Sequence, residues 1–357
     1  MAVGQPYTAH SKVKPEKMAA AARETLDQTL VLPNTFRREG FDAYRGAKGD
    51  AVNMRVEGVL PFRRYAFRND RSQPIETDVY EEKTVQVTVA DHFYNATALT
   101  DEQKEWDLLD WAFLLGKQAR ALSRGLARQA QAQIEAAPYN VVIGGAGSDL
   151  VGSLTEARRV LNRFQVPGGT RTLAVGSDFE AAMQNDDRIQ LASNAGDNVA
   201  ESALREATIG RVKGFNVVLD NTIAPDAAYA YVDGGFVWAT AAPVVPRSIA
   251  YGATTSYEGL ALRVMQDYVA DYLFDRQIAD VWSGMRYVTD FLTSYDPTGG
   301  AGLGIETVSE EEHFVRGIKL NLDGTSEYPT VGSELAEITG INEADGWEAG
   351  VRGDLNA

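Results

Sequence analysis

The strongest constraint on this chain is one long amphipathic run, residues 101–136. Leu108, Ala112, Leu115, Ala119, Leu122, Leu126, Ala130 and Ile134 recur at steps of three or four, which places them on one helix face. Thr100 and Gln103 form a capping box, each side chain satisfying a backbone N–H that the first turn leaves without a partner. Asp101, Glu102, Glu105, Asp107 and Asp110 load the first turns, and Lys117, Arg120, Arg124 and Arg128 the later ones, a polarity that suits the helix dipole. Pro138 stops the helix. At 1.5 Å per residue it spans on the order of 50 Å. No second long helix with matching heptads accompanies it, which weighs against a bundle or coiled coil. The helix reads instead as the backbone of a flat, extended molecule.

The flanking segments have different characters. Residues 1–38 read as an arm, in which Lys12, Lys14 and Lys17 lead into the helix-favouring stretch MAAAARETLDQTLVL, ended by Pro33 and Asn34. The arm is too short for a core of its own and must pack on this chain or a neighbour. In residues 40–75, Val52 to Val56 alternate with the period of a strand, and Phe62 to Phe67 offer a returning strand with Arg63, Arg64 and Arg68 among aromatics. Such a basic hairpin either covers its own aromatics with arginine stems or reaches onto a neighbouring subunit. Thr84 to Val89 form a β-branched strand with His92, read as structural, near its end.

Residues 140–245 read as a compact α/β unit. Capping boxes at Ser153–Glu156, Ser177–Glu180 and Asn198–Glu201 open its helices, and Tyr139–Ile143, Thr172–Val175 and Phe215–Leu219 are its strands. Tyr229–Val232, Asp233-Gly234-Gly235 and Phe236–Ala239 spell a β-hairpin. Residues 247–292 stay undecided between helix, from the spacing of Leu262, Met265, Val269 and Leu273, and strand, from their Tyr and Val content. Val315–Leu322 is a strand, and the acidic, Gly-rich stretch after it is expected to be loosely packed.

Length and charge limit the function classes. The chain has 357 residues, enough for about two domains at roughly 150 residues each. A formal net charge of −16 repels phosphate backbones and argues against a dedicated nucleic-acid binder. Cysteine is absent, which removes disulfides, thiolate zinc sites and cysteine nucleophiles. The histidines are His10, His92 and His313, in no metal-binding spacing, so no metal is expected. No apolar run approaches the roughly 18 residues of a membrane span, and no signal-peptide core is present.

Candidate chemistry is sparse. Gly144-Gly145-Ala146-Gly147 follows a strand but lacks the third glycine of a dinucleotide fingerprint, where Leu150 stands, and Asn162 and Gln165 occupy the region of the expected acid. A flexible connection is the better reading, and no cofactor is expected. Ser148 has no Gly-x-Ser-x-Gly context. Glu310-Glu311-Glu312-His313 reads as a solvated acidic face rather than a cation site. With no assembled catalytic residues, the function is expected to lie in the surface.

The order of parts (arm, basic hairpin, strand, long helix, compact α/β unit, return strands) resembles the major capsid protein of tailed bacteriophages. Val31–Phe36 leading into a hairpin that ends near Phe67-Arg68, and Val85-Gln86-Val87 before the helix Trp106–Ile134, carry the resemblance. So do Gly259–Arg263 and Asp280–Gly284, which resemble return strands of podovirus-type and actinobacterial phage coat proteins. It extends over residues 20–325. The resemblance implies an α+β fold, the capsid fold first seen in the Hong Kong phage. Its parts would be an N-arm (1–38), an extended E-loop (39–75), a peripheral P-domain (76–137 and 247–330) with spine helix 101–136, an axial A-domain (138–246) and an acidic tail (331–357). It implies a non-catalytic protein that forms hexamers and pentamers of an icosahedral shell around double-stranded DNA.

The implied partners are a separate scaffolding protein, a portal protein and, in some relatives, a decoration protein. DNA would be met only non-specifically, no membrane is involved, and the protein belongs to the virion, assembled in the host cytoplasm. Lys48 is the one lysine of the loop, a position that by itself assigns no cross-link. Arg55, Arg63, Arg64, Arg68 and Arg71 set a basic hairpin against an acidic remainder and are expected to pair with acids of an adjacent subunit. The alternatives are an encapsulin-type shell, another phage structural subunit from tail or decoration, and a dinucleotide-dependent enzyme using Gly144 to Gly147.

Overall fold

A computed structural model describes residues 14–40, 51–56, 59–64, 75, 77–78, 83–100, 102–103, 111–166, 169–186, 188–189, 210–249, 251–298 and 304–345. Two six-stranded sheets organise them. The first runs β1 (Arg37–Gly40), β10 (Phe236–Ala241), β13 (Phe274–Tyr287), β12 (Leu260–Val269) and β11 (Tyr251–Tyr257). β4 (Asp91–Thr100) continues β10's side of β13, pairing with Phe274 to Ser283. The second runs β5 (Val142–Ile143), β16 (Gly317–Asn321), β9 (Ala227–Val232), β6 (Arg171–Val175), β8 (Phe215–Leu219) and β7 (Arg211–Val212). Two ribbons stand apart, β2 (Ala51–Val56) with β3 (Lys83–Thr88), and β14 (Thr293–Asp296) with β15 (Ile305–Val308). The α-helices among the described residues include α1 (Pro15–Thr29), α2 (Trp111–Ala136), α3 (Leu150–Arg163), α4 (Ser177–Asn185) and α5 (Glu334–Thr339).

The long helix lays its apolar stripe on the first sheet. Leu115, Ala119, Leu122, Leu126, Ala130 and Ile134 of α2 share a core with Leu260, Leu262 and Val264 of β12 and Ala279 and Val281 of β13. Thr100 and Gln103 make their reciprocal capping bonds at 3.2 and 3.4 Å, while residues 104–110 lie outside the described residues. The 26 residues of α2 alone span about 39 Å. α1 adds Ala19, Ala22 and Leu26 to the same core, so the arm's helix packs on its own chain. Pro15 starts this helix where its missing N–H costs nothing. Residues 251–287 settle as an antiparallel meander. There the period of two, with Leu260, Leu262 and Val264 on the helix side, prevails over the helical spacing.

Several expectations are corrected. The Tyr229–Ala239 hairpin does not form: β9 and β10 enter different sheets. Val232 to Gly235 do make a turn, with Gly235 N–H donating to Val232 O at 2.9 Å. Only Gly234 takes a positive φ, +80°, and Asp233 does not. A type I′ turn needs both centres positive to match strand twist, so this turn splays the strands instead. The change of sheet thus falls at 233–235, inside the stretch grouped as 138–246. β2 pairs with β3, Met54 facing Val85, where Phe62–Phe67 was expected; Tyr65 to Phe67 lie outside the described residues. α3 starts at Leu150, capped by Asp149, whose carboxylate accepts Gly152 N–H at 3.0 Å; Ser153 lies inside the helix. α4 is entered from Gly176 without a side-chain cap, so Ser177 is not its cap. The Asn198–Glu201 box lies outside the described residues. The C-terminal stretch packs better than expected: Tyr328, Leu335 and Ile341 are buried in the core of the second sheet.

β9 is buried along its whole length because its two faces serve two cores. Tyr229 and Tyr231 point toward α2's core, and Ala228, Ala230 and Val232 toward α3's. Tyr139 donates its hydroxyl to Ile134 O at 2.8 Å, and the Tyr231 hydroxyl meets Thr35 Oγ1 at 2.6 Å. Burial pushes Tyr229 up to about 12 and raises Tyr139 and Tyr231 as well. A phenol whose folded pKa exceeds its ordinary value stabilises the fold below about pH 10 and loses that contribution as pH climbs through the raised value. Tyrosinate absorbance from these rings should therefore appear together with loss of near-ultraviolet circular dichroism between about pH 10 and 12. Ionisation near pH 10 with the fold intact contradicts this. Leu126→Ala, which opens a cavity under α2, should cost about 2–5 kcal/mol in denaturant unfolding.

Candidate assembly surface

The glycine loop is not a phosphate cradle. Ala146 and Gly147 N–H donate to Asn321 O and Leu322 O at 3.0 and 2.9 Å, and Gly144 N–H to Ser326 Oγ at 3.1 Å. A side chain on Gly144 would collide with the Thr325 backbone. The loop is glycine-rich because residues 321–326 lie against it, and the amides a pyrophosphate needs are already taken. The acidic run Glu310–His313 is likewise engaged. Glu334 accepts Glu310 N–H at 2.6 Å and Glu311 N–H at 3.3 Å, and meets the His313 ring at 3.3 Å. The Glu310 amide bond, with His313, holds the Glu334 carboxyl below its ordinary pKa. Among the described residues no group of three or more His, Asp or Glu could hold a metal, and no helix is long and apolar enough to cross a membrane.

A polar node lies on the first sheet's face away from α2. Asp280 is 1% exposed and receives Arg263 through two bonds, at 2.8 and 2.5 Å, and His92 Nε2 at 2.8 Å. It joins β4, β12 and β13 by their side chains. Trp282 stands edge-on to the His92 ring at 6.0 Å.

The basic loop between β2 and β3 is anchored at three places. Val85 and Val87 are buried with Val237, Ala239 and Val288, on the face of β10 opposite Trp238. Arg286 donates to Gln86 O at 2.8 Å. Further out, Arg63 clamps Asp78 through Nη2–Oδ1 at 2.6 Å and Nε–Oδ2 at 3.1 Å, bridging two parts of the loop. That hydrogen bond holds the Asp78 carboxyl below its usual range. Phe62 N–H donates to Glu306 Oε2 at 2.7 Å, and its ring stacks on Tyr295 at 5.5 Å. The loop is thereby tied to the β14–β15 ribbon of its own chain. Val59, Leu60 and Arg64 are left exposed.

Of the five loop arginines, Arg63 thus has a partner in its own loop, Arg64 faces outward, and Arg55 stands in β2 opposite Thr84. Arg68, Arg71 and Lys48 lie outside the described residues. Sequence reasoning missed Asp78, Tyr295 and Glu306. The last two lie more than 200 residues from Phe62, and no local pattern marks them.

A family model described as phage capsid protein matches residues 82–303. The chain belongs to the phage capsid protein family. Solved structures share its fold at low identity. The structure titled Mycobacterium phage Che8 is 15% identical, with 83% of this chain and 92% of that one covered and a TM-score of 0.56. The capsid of cyanophage P-SCSP1u is 10% identical, covering 78% and 84%, with a TM-score of 0.52. The mature capsid of bacteriophage PhiM1 is 9% identical, covering 82% and 86%, with a TM-score of 0.51. No curated protein matches. The architecture is the α+β phage major capsid fold, and this is a shell-forming major capsid protein, a structural component of the virion.

For the capsid subunit itself, Asp280→Ala should be among its most damaging single changes. Arg263, whose side chain is 11% exposed, is left without its counter-charge. Breaking a buried pair from one side costs about 3–5 kcal/mol. Denaturant midpoints of the two subunits check this; a shift under about 1 kcal/mol, the range of exposed pairs, contradicts it.

Proposed function

We propose that this capsid protein assembles as hexamers and pentamers into the icosahedral shell around a phage's double-stranded DNA, and that its basic loop makes contacts between subunits. The observation that carries the reading is the loop's construction. Its root is buried against β10, its middle is fixed by Phe62 and Arg63, and yet Val59, Leu60 and Arg64 stay in solvent. A fixed segment that exposes apolar side chains is an interface in waiting, because covering them in a neighbour recovers the hydrophobic free energy the lone subunit forgoes.

On this reading residues 1–38 are the N-arm, β2 through β3 the extended loop, α2 the spine of the peripheral domain, and α3 with the second sheet the axial domain. Arg55, Arg63, Arg64, Arg68 and Arg71 supply the positive side of contacts to a neighbour's acids. Arg63 can serve while holding Asp78, since a guanidinium carries five donors. A separate scaffolding protein guides closure, a portal protein occupies one vertex, and a decoration protein is a further partner. Assembly takes place in the host cytoplasm. The net charge of −16 keeps packaged DNA from adhering to the shell wall.

Negative-stain electron microscopy of the purified protein, with and without its co-expressed scaffold, tests the shell: uniform closed particles are expected, and small oligomers under all conditions refute it. Changing Arg63, Arg64 and Arg68 together to Ala should cut shell yield at least severalfold while the subunit's circular dichroism stays unchanged. Undiminished yield removes the loop from the interface.

A further inference from the structure

We infer that four cations along the spine helix, Lys117, Arg120, Arg124 and Arg128, form a contact line for the phosphate backbone of double-stranded DNA. The inference rests on the shell reading above and names the side of the subunit that meets the DNA. All four side chains are exposed. They follow one another at steps of three and four. With about 100° of turn per residue they stand opposite the buried Leu115, Leu122 and Leu126 of α2. The line therefore runs along the side of α2 turned away from the first sheet. From Trp111 to Ile134 the helix carries no aspartate or glutamate. Among the described residues none of the four is paired with an acid: Lys117 lies over the Phe113 ring at 5.1 Å, and Arg128 donates to Gln131 Oε1 at 3.4 Å.

Charge and spacing select the occupant. Arginines elsewhere meet acids of their own subunit: Arg38 with Asp27, Arg63 with Asp78, Arg263 with Asp280, Arg276 with Asp267 and Arg316 with Asp290. α1, packed on the same side of the first sheet, shows water a mixture of Glu16, Lys17, Glu24 and Gln28. An unbroken cationic line is the exception in a chain of net charge −16. Like charges one helical turn apart repel, so the lone subunit carries the line at a cost in stability. A ligand with one sign of charge repeated along its length removes that repulsion at every position. The line spans about 16 Å. One strand of a duplex sets about five phosphates against that length, at 3.4 Å each, and every phosphate neutralised releases condensed counterions. The acidic remainder of the subunit repels the same duplex. The line thus fixes where DNA approaches the wall, while the net charge keeps it from adhering elsewhere.

Fluorescence anisotropy of a labelled duplex of about 20 base pairs, titrated with the purified subunit, tests this; log affinity should fall against log salt with a slope of about −3.6, the value for four phosphate contacts. Changing Lys117, Arg120, Arg124 and Arg128 together to Gln should abolish binding while circular dichroism stays unchanged. If that variant does not fold, Arg120→Gln with Arg124→Gln should bring the slope to about −1.8. No binding by the unaltered subunit at low salt, or equal binding by the subunit and its glutamine variant, overturns the inference. Because the line serves DNA and not closure, the glutamine variant should assemble with scaffold at the unaltered chain's yield. A severalfold fall in yield assigns the line to a neighbouring subunit or to the scaffold and overturns the inference, leaving the shell reading in place. Absence of shells from the unaltered chain with scaffold refutes the shell reading itself, and is seen before any variant is made.

Discussion

Burial on both faces of residues 227–241 joins the two sheets into one body. β9 sends Tyr229 and Tyr231 to one core and Ala228, Ala230 and Val232 to another. β10 sends Phe236 and Trp238 to the first and Val237 and Ala239 to the small core that roots the basic loop. The turn between them is pinned from the side. Arg316 donates to Gly234 O at 3.0 Å and is held by Asp290 at 2.5 and 2.7 Å, while Val288 N–H donates to Gly235 O at 2.9 Å. Around it Phe36 stacks on Phe236 at 5.0 Å, and Tyr231 meets Phe236 edge-on at 5.2 Å. Aromatic pairs of this kind add about 0.5–1.5 kcal/mol beyond the area they bury. The junction is thus held by buried aromatic contacts and by the Arg316–Asp290 pin together.

The spine helix is tied to the sheet by polar contacts set within its apolar stripe. Trp238 Nε1–H donates to Ser283 Oγ at 2.9 Å, and Ser283 in turn donates to Gln129 Oε1 at 2.5 Å. Gln118 donates to Gln277 O at 3.1 Å and to Thr97 Oγ1 at 3.0 Å. Apolar contact alone leaves a helix free to rotate or shift along its axis. Directional bonds at two points 11 residues apart select one register. The same helix carries α1, so the arm, the spine and the first sheet share one core.

The basic loop follows a different logic. Its root belongs to the fold, through Val85 and Val87, and its outer part is held by single contacts such as Phe62 on Tyr295. A fold that forms shells needs surfaces that are ordered enough to dock and apolar enough to gain from docking. The loop segment, held at Phe62 and exposing Val59 and Leu60, meets those two conditions.

Much of this was legible in the residues. The period of α2, its capping box, the alternation of β3 and the apolar strands β6 and β8 are local patterns, and a local pattern selects a local conformation. Other features were decided only in three dimensions. Asp233-Gly234-Gly235 gives a turn in either case, but which sheet Phe236 joins depends on cores built by residues 19–36 and 260–285. The capping role fell to Asp149 rather than Ser153 because Asp149 precedes the buried Leu150, Leu154 and Ala157, and packing chose the helix start. The partner of β2, the clasp of Phe62 by Glu306 and the sharing of Asp280 by His92 and Arg263 join residues 17 to 244 positions apart. Sequence determined which segments are helix or strand, because that preference is settled by side chains a few residues apart. Tertiary structure decided which strands pair and which charges meet, because those choices are settled by burial shared among segments with no common local signal.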